Sequence, residues 1–243
     1  MADKYLLLDA NVTAAYYLPR STTSNKVRRR IELLFNSVRS GDSKFFLYIP
    51  NFCIAEVFSV FAKHAFGKWN PHIRRIGTID KRIYGSLNNQ FAKDIHNARF
   101  IYQYELSRYH ILGIDLVAPI DHYYQITRGS TQRHIPMGTF DHLIIAMGVH
   151  LAHIHGHDKV VIVSADERLT KVLARCQSPL SKAITKKLRL DRAYQVTGKR
   201  FSPDIFPSYV NLKTASQTDL ESAFGVWPLK VSRIPRVYRW TKA

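Results

Sequence analysis

Apolar residues along this chain fall into two rhythms. Tyr5–Leu8, Phe45–Ile49 and the valine-rich stretch 159–163 are short and nearly continuous. A short unbroken apolar run suits a strand covered on both faces, as in a parallel sheet. Elsewhere the spacing is three and four. Val27, Ile31, Leu34, Phe35 and Val38 predict a helix closed by Gly41, and Ile54, Val57, Phe58, Phe61 and Ala65 one closed by Gly67. Phe140, Ile144, Met147, Leu151 and Ile154 predict a helix ending near Gly156, and Leu169, Val172 and Leu173 mark another. Asn11 is placed to cap a helix that stops before Pro19, and Asn51 and Thr139 to cap two others. Strand and helix therefore alternate, which predicts an α/β fold with a central parallel sheet flanked by helices on both faces.

Residues 68–137 carry a weaker pattern. Thr78 to His96 and Phe100 to Val117 read as helices, Ile120 to Ile126 is indeterminate, and Thr127 to Arg133 reads as a basic polar loop. This region is expected to be a helical insertion or an enlarged middle of a domain spanning 1–177, with a basic C-terminal extension over 178–243.

Charge changes the picture more than composition does. Lys and Arg number 36 against 18 Asp and Glu, a formal net charge of +18. Such an excess attracts polyanions, so nucleic acid is the first partner to expect and an anionic membrane surface the second. No apolar run approaches the roughly 20 residues that span a bilayer. The opening Met1-Ala2-Asp3-Lys4 leads into a strand rather than a signal-peptide core. No membrane partner and a cytoplasmic address are expected. Cys53 and Cys176, both in apolar helical patterns, read as unpaired core residues of a reducing compartment.

Basic residues cluster twice. Lys26, Arg28, Arg29 and Arg30 sit together on one predicted helix, as a solvated face or a nucleic-acid contact. From Ser178 onward there are 13 Lys and Arg against 4 Asp and Glu. There Lys230, Arg233, Arg236, Arg239 and Lys242 recur at every third position, with Pro228, Pro235, Tyr238 and Trp240 between them. A three-residue period with prolines suits an extended arm with one basic edge, able to follow phosphates while Tyr238 or Trp240 stacks on a base. The alternative is a tail packed on its own domain or on a partner.

Four carboxylates stand out by position. Asp9 and Asp166 lie just past strand-like runs; Glu56 and Asp141 lie in the first turns of predicted helices. Functional groups of open α/β sheets gather at the carboxyl ends of the strands. Each acid has a bland explanation alone: a salt bridge for Glu56, the helix dipole for Asp141. Together in one cleft they would repel one another, so their pKa values must rise or a cation must sit among them. All-oxygen ligation points to Mg²⁺ or Mn²⁺.

The stretches Leu6-Leu-Leu-Asp9-Ala-Asn11, Ala55-Glu56-Val-Phe58, Phe140-Asp141-His-Leu-Ile-Ile-Ala-Met-Gly148 and Ile162-Val-Ser164-Ala-Asp166-Glu-Arg-Leu169 resemble a PIN-domain nuclease. The resemblance covers roughly residues 4–176 in order and spacing. It implies a divalent-metal-dependent endoribonuclease acting on single-stranded or loop RNA. It further implies that Asp9, Glu56, Asp141 and Asp166 hold Mg²⁺ or Mn²⁺, with Asn11 and Ser164 orienting ligands or water. The long region between Glu56 and Asp141 and the basic extension depart from compact VapC-type toxins. An antitoxin or other regulatory protein and a homodimer therefore follow less directly than the nuclease. The rival readings are a non-catalytic RNA-binding or assembly module of the same fold, and a nuclease acting on DNA.

Other chemistries find less support. No GxxxxGK, GxGxxG or HExxH stretch exists, so NTPase, dinucleotide and zinc-protease readings lack support. His150, His153 and His157 share a helical spacing, and His153, His155 and His157 alternate. They read as a solvated helix end, with a transition-metal site as the alternative. His142, beside Asp141, reads as a surface residue or as a support to the site rather than as a contact to substrate.

Overall fold

The computed structural model describes residues 3–19, 22–66, 79, 81–98, 100–127, 137–195 and 201–233. Strand β1 (Lys4–Leu8) leads into helices α1 (Ala10–Tyr17) and α2 (Asn25–Arg39). Strand β2 (Phe45–Pro50) is followed without a gap by α3 (Asn51–Phe66), then α4 (Lys81–His96) and strand β3 (Ile101–Tyr104). Helices α5 (Arg108–Thr127) and α6 (Thr139–His155) precede strand β4 (Val160–Ser164) and α7 (Glu167–Cys176). The rest comprises α8 (Lys182–Lys187), α9 (Leu190–Gln195), strand β5 (Ser208–Asn211) and α10 (Gln217–Phe224).

The fold is α/β, with five strands in the order β3-β2-β1-β4-β5, all paired in parallel. Strands β1 and β4 lie at the centre, and Leu6, Leu7, Leu8 and Val160 to Val163 are fully buried there. Burying each such side chain contributes about 1.5–3 kcal/mol relative to exposure, which explains why these runs lack polar alternation. The chain steps from β1 to β2 to β3 in one direction, then crosses back to β4 and β5. Right-handed crossovers put α1–α4 on one face and α5–α9 on the other. The packing agrees: α1 meets α2 and α3, whereas α5 meets α6, α7 and α9.

Several expectations need correction. Residues 101–104 lie in strand β3, paired Leu47 to Ile101 and Tyr48 to Tyr102, rather than in a helix from Phe100. Helix α5 begins only at Arg108 and continues through Pro119, absorbing the indeterminate stretch 120–126. Asn11 does not cap α1: Asp9 occupies the cap position and Asn11 lies in the first turn. Gly138, not Thr139, caps α6. Phe140 and Ile154, expected on the buried stripe of α6, are its exposed ends. Helix α6 stops at His155, so His157 lies beyond it.

The helix-closing glycines and the cysteines stand as expected. Gly41 and Gly156, both with positive φ, follow the ends of α2 and α6. Both cysteines are buried and unpaired. The segment beyond 178 supplies edge strand β5 and helix α10, whose Phe224 packs on Phe45 and Trp227. Gly67, the loop 128–133 and the arm beyond Arg233 lie outside the described residues. Among the described residues no helix is long and apolar enough to cross a membrane.

Candidate active site

The strand order reverses between β1 and β4, and a crevice opens at the carboxyl ends of strands flanking such a switch point. Asp9 follows β1 directly and Ser164 ends β4, so the reversal sets them side by side. The Ser164 hydroxyl, fully buried, donates to Asp9 Oδ2 at 2.6 Å. Asn11 Nδ2 donates to the same oxygen at 2.6 Å and reaches Ser164 Oγ at 3.4 Å. Asn11 Oδ1 accepts from the Ala165 N–H at 3.1 Å, and Ser164 Oγ accepts from the Asp166 N–H at 2.9 Å. These contacts lock the two strand ends together and hold the Asp9 carboxyl in one orientation. Asp166 then caps α7, accepting from the Arg168 N–H at 2.7 Å.

Glu56 comes from α3 and Asp141 from the first turn of α6. Asp9 is 5% exposed, and its pKa is pushed up to about 6. Burial is the main cause; the Ser164 hydroxyl opposes it, and the charges of Asp141 and Glu56 add to it. Glu56 is raised by partial burial and then by Asp141. Asp141 is raised by burial and then by Asp166. Asp9, Glu56 and Asp141 thus lie in shared fields, and Asp166 acts on Asp141. Beneath them the buried Cys53 thiol is pushed up by burial and then by Asp9 and Glu56, so it stays protonated.

Their counter-charges are uneven. Arg168 Nη2 stands 3.8 Å from Asp166 Oδ2. Among the described residues no ion pair is formed by Asp9, Glu56 or Asp141. The donor set is all oxygen, as a hard divalent ion requires. As the side chains stand, no group of three or more His, Cys, Asp or Glu is arranged to hold a metal among the described residues. The chemistry of the donors, rather than their arrangement, fits Mg²⁺ or Mn²⁺.

His142 is buried and bonds Asp121 through Nε2 at 3.1 Å. Asp121, 2% exposed, also accepts from the Met137 N–H at 3.1 Å and faces Arg175 Nη1 at 3.8 Å. This network joins α5, α6 and α7 just before the turn that carries Asp141. Asp121 was hidden in a stretch of indeterminate pattern; one acid interrupting an apolar run was its only signal.

The expected nucleic-acid residues divide. Arg28 is buried, pairs with Glu32 at 2.9 Å and donates to the Ala15 and Leu18 carbonyls at the end of α1. Arg30 donates to the Leu212 and Ala215 carbonyls at 2.9 and 2.8 Å, clamping α2 to the turn after β5. Arg29 and Arg233 are exposed, and Arg236, Tyr238, Arg239 and Trp240 lie outside the described residues. The histidines at the end of α6 do not converge. His150 instead meets Tyr104 at 2.7 Å and His110 at 3.0 Å, and His155 stacks on Tyr5. Compared with protein-family models, with curated proteins and with solved structures, the chain matches none of them, so the PIN-domain resemblance is carried by its residues alone.

Proposed function

We propose that the protein is a divalent-metal-dependent endoribonuclease that hydrolyses phosphodiester bonds in single-stranded or loop RNA. The reading is carried by one observation: Asp9, buried and lifted to about 6, lies in the fields of Glu56 and Asp141 with none of the three ion-paired among the described residues. A cleft that concentrates negative charge this way favours a cation. Asp9, Glu56, Asp141 and Asp166 would hold it. Bound there, Mg²⁺ or Mn²⁺ would neutralise the phosphodiester and lower the pKa of a water.

The chain's own residues prepare the site. Ser164 and Asn11 fix the Asp9 carboxyl and oppose its protonation by donating to it. The Asp121–His142 pair steadies the start of α6 and thereby Asp141. The excess of Lys and Arg, +18 overall, draws RNA toward an acidic centre that would otherwise repel it.

The test is incubation of purified protein with labelled single-stranded RNA in Mn²⁺ and in EDTA. Cleavage is expected in Mn²⁺ only. Asp9→Asn and Asp141→Asn should each lose more than the roughly 10- to 100-fold that follows removal of an outer-shell partner, with RNA affinity retained. Either variant cutting at the wild-type rate would remove the assignment. Metal-independent binding without cleavage would identify a non-catalytic RNA-binding module, and cleavage confined to DNA would change the substrate but not the chemistry.

A further inference from the structure

We propose that Phe52 and Phe140 form a stacking shelf for one unpaired base at the edge of the carboxylate cleft. The two rings pack with centroids 5.3 Å apart and planes inclined by 24°. Phe52 precedes Glu56 by four residues on α3, so ring and carboxylate share one face of that helix. Phe140 directly precedes Asp141 at the start of α6. The ring pair and the acid pair therefore bridge the same two helices at the same end. Phe52 is partly buried against the core and anchors the shelf, whereas Phe140 is 61% exposed.

That exposure is what needs explaining. Single apolar residues on a surface are ordinary, but this one is fixed by a second ring and set against two carboxylates of raised pKa. A phenylalanine offers a π-face and no hydrogen bond, so it holds any base by stacking and reads none by its edge. Within a duplex a base is already covered above and below by its neighbours. The shelf thus selects unpaired nucleotides and presents the adjoining phosphate to the carboxylates. The chain's strong positive charge favours a nucleic acid over a protein as occupant.

The proposal rests on the nuclease reading for its substrate, and the experiment separates the two. Binding of a labelled oligoadenylate and of an abasic oligoribonucleotide of equal length is measured by anisotropy in EDTA. Wild type should prefer the oligoadenylate by roughly five- to hundredfold, the range of one stacked base. Phe140→Ala should lower that preference several-fold without weakening the abasic strand. Phe140→Trp should keep the preference, and its added emission should be quenched by the oligoadenylate but not by the abasic strand. No preference in wild type, or a preference that Phe140→Ala leaves undiminished, overturns the shelf; the latter leaves the rings to a protein partner. Cleavage is assayed separately in Mn²⁺. A preference without cleavage removes the nuclease and keeps the shelf, cleavage without a preference does the reverse, and neither preference nor cleavage removes both.

Discussion

Asp9 places function against stability within a single side chain. Folding raises its pKa from 3.8 to about 6, chiefly through burial. The unfolded chain therefore releases this proton first as pH rises. Any stability the group contributes is intact below pH ~4 and lost as pH passes through ~6, and a difference of about two pH units corresponds to about 3 kcal/mol. In EDTA, Asp9→Asn should accordingly gain about 3 kcal/mol on wild type between pH 4 and pH 7, read from urea unfolding at both values. Excess Mn²⁺ should restore wild type at pH 7 and leave the variant unmoved. A stability gap between the two proteins that is the same at pH 4 and pH 7 would show that Asp9 is already balanced by something other than a metal. This acid was legible in the sequence because a continuous apolar run fixes where a buried strand ends. Phe140 was not legible as a surface ring. It falls on the same helical stripe as Ile144 and Met147, and periodicity cannot tell the covered middle of a stripe from its open end.

Elements supply the clamps that hold the site's scaffold. The basic helix α2 looked uniform in sequence, yet its three consecutive arginines have three fates. Arg28 satisfies carbonyls left open where α1 ends, Arg30 ties α2 to the turn after β5, and Arg29 faces solvent. A helix turns about 100° per residue, so consecutive side chains leave its axis in different directions. Arg28→Ala should cost about 2–4 kcal/mol, since it strands the buried Ala15 and Leu18 carbonyls, and Arg30→Ala about 1–2 kcal/mol. Arg29→Ala should stay within about 0.5 kcal/mol, and a phosphate contact there should appear only as a shallower salt dependence of RNA binding. Equal stability losses for all three, from urea midpoints, would contradict these assignments. The same locality explains the missed strands. Ile101-Tyr-Gln-Tyr104 and Ser208-Tyr-Val-Asn211 are four residues each and lie at the two edges of the sheet. Each has one covered flank, so neither shows the unbroken apolar run that made the central strands β1 and β4 visible.

At the scale of the whole molecule, two opposite distributions of charge must coexist: carboxylates gathered at the switch point, and a basic surplus spread over the rest. Fold topology accounts for the first, because only the reversal between β1 and β4 could bring Asp9 beside Ser164 across 155 residues. The second is a property of composition and was legible from the start, but composition does not say which cations meet phosphate. Salt dependence does. For single strands the logarithm of the binding constant falls with the logarithm of salt concentration by roughly 0.7 per phosphate neutralised. A chain ending at Arg233 lacks Arg236, Arg239 and Lys242. If all three neutralise phosphates, truncation should reduce the slope by about 2 and weaken binding most at low salt. It also lacks Tyr238 and Trp240, whose stacking, unlike phosphate contacts, is little changed by salt. A loss of affinity that is constant across salt would thus assign the segment's role to its rings, and a graded loss to its charges. Mn²⁺ binding, followed by the rise in unfolding midpoint, should be the same in both chains, since every candidate ligand lies upstream. An unchanged slope with unchanged affinity would mean that the surplus charge drawing RNA to the cleft resides on the folded body, whose exposed cations include Arg29, Arg168, Lys171 and Lys213.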